Sequence, residues 1–142
     1  MESLADWTGE DGFRIEPYGL DPIPSLAVLA RERLPRWADR IFVGNVMAWR
    51  PPFRFDFVRT ELEYVPRHRQ PNVIEYLLNE YLVPGGRLIV CSYGSSSRPQ
   101  PKTEPVGEIL RDWNYEVVGG AEAADTNGVV ITRVAWIDRP PN

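Results

Sequence analysis

The stretch YLVPGGRLIVCSYG, Tyr81 to Gly94, constrains this chain most: an amphipathic run stops at Pro84-Gly85-Gly86 and the apolar run Arg87 to Tyr93 comes at once after it. Proline cannot continue a helix and glycine reaches the backbone angles of a sharp turn, so a helix is expected to end here and a buried strand to begin at Arg87. An earlier unit, Tyr18-Gly19-Leu20-Asp21, closes a first apolar strand on a carboxylate just before another helical segment. This alternation predicts an α/β fold with parallel strands. Such sheets hold ligands beyond the carboxyl ends of their strands. No glycine-rich phosphate or nucleotide loop precedes Tyr18, where the architecture leads one to seek it.

At 142 residues the chain is expected to form one domain over 1–142, large enough to bury most of its apolar surface without staples. The single cysteine, Cys91, excludes an internal disulfide, and its place in RLIVCSY predicts an inert, buried thiol in a reducing compartment. The sequence has no apolar segment of bilayer length, and its acidic start, MESLADWTGEDG, lacks the basic opening of a secretion signal. A cytoplasmic location and no membrane partner are the resulting expectations. A net charge of −4 argues against nucleic-acid binding, which relies on basic surface to neutralise phosphates, and the small cluster Arg67-His68-Arg69 does not alter that.

Along the chain, Met1, Leu4 and Trp7 recur at helical spacing ahead of Gly9 and Gly12, predicting a short opening helix. Arg14 to Leu20 comes next as the first strand. Pro22 and Pro24 suit the first turn of the next helix, whose apolar face of Leu26, Leu29, Ala30, Leu34 and Trp37 is expected to cover the sheet. Arg40 to Gly44 reads as the second strand, Pro51-Pro52 as a loop and Phe55 to Val58 as the start of the third strand. Val73, Tyr76, Leu77 and Tyr81 mark a helix that begins at Pro66 or at Pro71. Ser95 to Thr103 reads as a surface loop, Val106, Ile109, Leu110 and Trp113 as a helical stripe, Tyr115 to Val118 as a strand and Val129 to Ile137 as the last strand. Asp125-Thr126-Asn127-Gly128 between these two strands predicts an antiparallel hairpin, since Asn-Gly favours positive φ.

YGLD before SLAVLARERLP, then IFVGNVMAW, FDFV, the PGG turn before RLIV, and the terminal hairpin come in the order found in the class I methyltransferases that use S-adenosylmethionine. The chain resembles that family from its second strand to its end. The resemblance implies an α/β Rossmann-like mixed sheet, mostly parallel with a C-terminal antiparallel hairpin, helices on both faces, and S-adenosylmethionine as cofactor with a small-molecule methyl acceptor as partner. Family members begin with a central strand and a glycine-rich loop, whereas Met1-Glu2-Ser3-Leu4 looks like the helix that comes after that loop. The first central strand is therefore expected to be missing, which leaves unpaired edges on the strands that end at Asp21 and start at Phe55. Open edges recruit partners, so these two strands are expected to pair directly or to find a neighbour in a homo-oligomer.

By the resemblance, Asp21 matches the acid that accepts both hydrogen bonds of the cofactor's ribose diol; a helix-capping aspartate before Pro22 is the plain alternative. Asn45 matches the position that contacts the adenine amino group, against an ordinary turn asparagine, and Val46 and Met47 would flank the adenine ring. Thr60, with Glu61 and Glu63, ends the third strand facing the crevice; Thr60 is assigned to the cofactor, and Glu61 is a candidate for orienting the acceptor or the cofactor's amino group, against a solvated edge residue. Tyr64 would wall the same pocket. Methyl transfer from a sulfonium is an in-line displacement in which positioning can suffice without a base, and no catalytic residue beyond Glu61 suggests itself. His68 reads as an exposed, ordinary histidine. One histidine and one cysteine cannot assemble a usual zinc site, and GxSxG, GxGxxG and GxxxxGK[ST] are all absent. A non-catalytic remnant that keeps the scaffold and acts through oligomerisation or protein binding is the alternative function.

Overall fold

The computed structural model describes residues 1–94 and 103–141, so the loop expected from Ser95 lies outside the described residues except at Thr103. The chain divides into two compact units, Met1–Arg50 and Pro51–Asn142.

The first unit opens with helix α1, Glu2–Glu10, which ends where the Asp11 N–H donates to Trp7 O and Gly12 adopts φ +80°. Strand β1, Gly19–Asp21, is shorter than the expected Arg14 to Leu20. Pro17 has no N–H for a ladder, and only the last three residues find a partner strand. Helix α2, Pro24–Arg33, has its proline in the first turn, where a missing donor costs nothing. A 3-10 turn over Pro35–Arg40 then leads into strand β2, Ile41–Val43, which pairs parallel to β1. The Arg31 guanidinium fixes α2 to β2 by donating to Ile41 O at 2.6 and 3.0 Å. The expected covering face is corrected in part: Trp37 is buried and Ala30 and Leu34 are half-buried, but Leu26 and Leu29 are 46% and 40% exposed, and within α2 Ala27 is the buried residue.

The second unit carries a four-stranded sheet in the order β3-β4-β6-β5. Strand β3, Phe55–Glu61, pairs parallel to β4, Leu82–Tyr93; β4 pairs antiparallel to β6, Val130–Asp138, and β6 antiparallel to β5, Gly119–Ala124. Between β3 and β4 run a 3-10 turn at Arg67–Arg69, helix α3 over Gln70–Tyr76 and a π-helical turn over Leu77–Tyr81. Pro71 occupies the first turn of α3, which settles the choice between Pro66 and Pro71. Strand β4 begins before the Pro84-Gly85-Gly86 turn, not after it: Phe55 pairs with Leu82 and Phe57 with Arg87, so residues 83–86 bulge out of the ladder. Gly85 has φ +77°, and a Cβ on Gly86 would meet Val83 O at 2.9 Å and Asp56 O at 3.1 Å. Arg139, just beyond β6, exchanges backbone hydrogen bonds with Gly85 and Gly86, and its guanidinium donates to Asn79 O and Leu82 O at the end of the π turn.

Helix α4, Val106–Asp112, buries Val106 and Leu110 of the predicted stripe. The strand expected over Tyr115 to Val118 lies instead at β5. There Gly119 sits opposite Trp136, where an added Cβ would come within 2.7 Å of the indole Cε2. At that position only a glycine fits against the ring, a local steric requirement that strand propensity at Tyr115 and Val118 does not report. The Asp125 to Gly128 turn forms as expected, with Gly128 at φ +79° and the Asp125 carboxylate accepting from the Asn127 and Val129 N–H groups. The core gathers Val73, Ile74, Leu77 and Leu78 from the helical segment with Leu88 and Val90 of β4 and Ile137 of β6. Cys91 is buried in the same strand as Leu88, as its sequence context implied.

The β1-β2 pair and the four-stranded sheet are separate. Direct pairing of β1 with β3, one of the two expected outcomes, does not occur among the described residues.

Candidate functional site

The residues singled out by sequence fall into two sets. In the first unit, Asp21 is the last residue of β1 and lies opposite Val43, the last residue of β2. The Gly44 N–H donates to Asp21 O at 3.0 Å, which draws the two strand ends together and puts Asn45 directly after them. The Asp21 carboxylate accepts from Ile23 N at 2.8 Å, and the Asn45 side-chain oxygen from Met47 N at 2.9 Å. Both side chains thus turn the chain at the carboxyl tips of a parallel pair. The helix cap itself is Ile23, with no side-chain cap bond, so Asp21 braces the approach to α2 and does not cap it.

Residues 48 and 49 shape the Asn45 turn: Asn45 O accepts from the Ala48 and Trp49 N–H groups, and the Trp49 ring packs 5.0 Å from the Phe42 ring. A Cβ on Gly44 would meet the Trp49 Cβ at 3.1 Å, so a larger residue would push the turn off the strand tips. Val46 is half-buried and Met47 is 40% exposed. A strand-tip carboxylate with one oxygen committed retains a second oxygen for a diol, and an amide whose oxygen is engaged offers its N–H2 to an acceptor.

In the second unit, Thr60 and Glu61 are the last residues of β3, opposite Val90 and Cys91. Glu61 is ion-paired with Arg59 at 2.9 Å. The same guanidinium donates to the Tyr93 hydroxyl at 2.7 Å and lies 5.3 Å from the centre of the Tyr93 ring. Burial pulls the Arg59 pKa down, but the hydrogen bond to Tyr93 and the neighbouring Cys91 outweigh it and hold the guanidinium above its ordinary value, a permanent cation. Beyond the strand, Glu63 accepts from Tyr93 N and from the Ser92 hydroxyl, both at 3.1 Å, while Glu104 N donates to Ser92 Oγ at 2.9 Å. Tyr64 is 86% exposed and so walls nothing within its unit.

The sequence reading missed this network. Ser92 is the buried polar residue that organises it, and only the break in the apolar run, IVCSY, hints at a hydroxyl with a partner. His68 is exposed on its 3-10 turn, as read from sequence. Among the described residues no cluster of three metal-binding side chains occurs, and no helix is long and apolar enough to cross a membrane.

Known structures share this arrangement of elements. The N-methyltransferase NodS from Bradyrhizobium japonicum, in complex with S-adenosyl-l-homocysteine, superposes with a TM-score of 0.64 at 19% identity over 85% of this chain and 65% of that one. The chain has the class I S-adenosylmethionine-dependent methyltransferase fold. The 1,6-didemethyltoxoflavin-N1-methyltransferase from Burkholderia thailandensis, with bound 1,6-didemethyltoxoflavin and S-adenosylhomocysteine, gives 0.59 at 19% identity, covering 85% of this chain and 60% of that one. The glycopeptide N-methyltransferase MtfA, complexed with S-adenosylmethionine, gives 0.62 at 15% identity, covering 87% and 71%. This chain therefore spans less than two thirds of the first two of these methyltransferases. No protein-family model and no curated protein matches the sequence.

Proposed function

We propose that this chain is methyltransferase machinery that binds S-adenosylmethionine and serves a small-molecule acceptor. The observation that carries the reading is the pairing of Asp21 and Asn45 at adjacent tips of a parallel strand pair, in the fold of the class I methyltransferases. The donor set suits a nucleoside: Asp21 supplies a carboxylate for a vicinal diol and Asn45 an amide for a purine edge. When bound, S-adenosylmethionine supplies an activated methyl group on sulfur. The first unit's own part is to hold the ribose at Asp21 and steady the base at Asn45 with Val46 and Met47 beside it. Three of the fold's neighbours are named N-methyltransferases, which favours a nitrogen acceptor.

Calorimetric titration with S-adenosylhomocysteine tests the proposal. Saturable binding is expected, weakened in Asp21→Ala by about 1–3 kcal/mol, the scale for removing one partner of a polar ligand group. No heat at high protein concentration would overturn it.

A second reading has its own observation. The outer edges of β1 and β3 carry no strand among the described residues, while Trp7 and Phe57 are 64% and 66% exposed. Unpaired strand edges pair with other chains. On this reading the protein is a non-catalytic scaffold acting through oligomerisation or protein binding, and sedimentation would reveal concentration-dependent association alongside silence in the titration.

A further inference from the structure

Asn127 is the one asparagine of the sequence that precedes a glycine; Val46, Val73, Glu80 and Tyr115 come after Asn45, Asn72, Asn79 and Asn114. The side-chain amide carbon of an asparagine is an electrophile that the backbone nitrogen of the next residue can attack, closing a cyclic imide. A side chain on that next residue crowds the approach, and glycine has none. Around Gly128 the flank is open: a Cβ built there would meet no atom within 4 Å, and Asn127 itself is exposed at the hairpin tip. The same turn holds the nucleophile back. The Gly128 N–H donates to Asp125 O at 3.0 Å, and the Asp125 carboxylate accepts from the Asn127 and Val129 N–H groups, both at 2.9 Å, so the backbone is clamped on either side of the Gly128 nitrogen. A nitrogen engaged in this way must be released before it can attack, which ties ring closure to local opening of the turn. Its place in the fold gives the chemistry a consequence. Tyr93 pairs with Thr132 and the Gly94 N–H donates to Ile131 O at 2.8 Å, so the hairpin tip stands at the carboxyl end of β4, the end of such sheets where ligands bind.

We infer that Asn127 is a site of spontaneous covalent modification, deamidating through a cyclic imide with Gly128, and that Asp125 sets its pace. The Gly128 nitrogen bonds to Asn127 Cγ, the Cγ–Nδ2 bond breaks, and Nδ2 leaves as ammonia, taking by way of water the proton that the Gly128 nitrogen gives up. Water then opens the imide at either carbonyl. Opening at Cγ leaves aspartate; opening at the Asn127 backbone carbonyl leaves isoaspartate, whose main chain runs through the former side chain and is one methylene longer. The imide has no N–H for Asp125 O, and each product puts a second carboxylate beside Asp125. The inference does not rest on the methyltransferase reading.

The test is incubation of the whole chain in mildly alkaline buffer made with heavy-oxygen water, read by tryptic mapping and fragment mass spectrometry. Asn127 is expected to convert at least about tenfold faster than Asn45, Asn72, Asn79 or Asn114, to take up one heavy oxygen, and to yield isoaspartate in excess over aspartate. Asp125→Ala frees the Asn127 and Val129 N–H groups and should speed conversion severalfold. Conversion at Asn114 should stay unchanged in that variant, which separates a loosened turn from a lost fold. Asp125→Asn keeps an acceptor oxygen and should stay near the parent rate. Conversion at Asn127 no faster than at the other asparagines, or aspartate without isoaspartate, would overturn the site. An Asp125→Ala rate at or below that of the parent would overturn the part given to Asp125.

Discussion

The two units of this chain bury their side chains very differently. Met1–Arg50 buries Ala27, Trp37 and Ile41, yet leaves Leu4, Trp7, Phe13, Leu26 and Leu29 at least 40% exposed. Pro51–Asn142 packs Ile74, Leu77, Leu82, Leu88, Val90, Leu110 and Ile137 to 1% exposure or less. A two-stranded ladder has too little surface to stabilise itself, whereas four strands backed by helices form a core. The nucleoside candidates Asp21 and Asn45 thus ride on the thinly packed unit, and Thr60 on the densely packed one. Binding at the first should cost ordering; binding at the second should meet a site already set.

Single substitutions can break this contrast. Leu88→Ala, at a fully buried position, should cost about 2–5 kcal/mol in urea unfolding, while Leu29→Ala, 40% exposed, should stay within about 0.5 kcal/mol. Equal costs would mean that the first unit is as well packed as the second. Next in size is Gly119→Val: a side chain beneath the Trp136 indole must displace the ring, so a loss of about 1–3 kcal/mol and a change in tryptophan fluorescence are expected. An unchanged spectrum would show that the indole does not rest there.

The smallest effect concerns the bidentate pair Arg87–Asp138, at 2.7 and 2.9 Å across the β4–β6 ladder. The Arg87 guanidinium hydrogen-bonds the Asp138 carboxyl and, against the opposing effect of burial, holds it below its usual pKa. A depressed carboxylate stabilises the fold above its unfolded pKa and loses that contribution as pH falls through the folded value. Asp138→Asn should therefore be slightly less stable than the parent at neutral pH, and the two should converge below about pH 4. A difference that persists in acid would assign the effect to something other than charge.

Local chemistry makes much of the fold legible. The Asn127-Gly128 turn, the proline-led start of α2 and the order of strands come from backbone preferences that act within a few residues. Sequence and structure part where distant contacts decide. Nothing near Tyr115 announces that the next strand waits for Gly119, because the reason is Trp136 on another strand. The π turn at Leu77–Tyr81 leaves no periodic trace, and the leucine face of α2 reads as buried because periodicity reports amphipathicity and not what covers it. Asp21 and Asn45 stand out in sequence because one ends a strand and the other lies two residues past the end of the next. The hydrogen bond from Ser92 to Glu63 leaves no sequence signal, since it spans 29 positions along the chain.

The residue after β6 has a practical bearing on anyone who handles this polypeptide. Arg139 closes the π turn by satisfying the carbonyls of Asn79 and Leu82, and its backbone zips onto Gly85 and Gly86. A clone trimmed at Asp138, or a purification tag that pulls this residue away, would leave Leu82 O only its longer bond from Arg54 at 3.5 Å and start the helix-to-strand junction fraying from a place sixty residues distant in sequence.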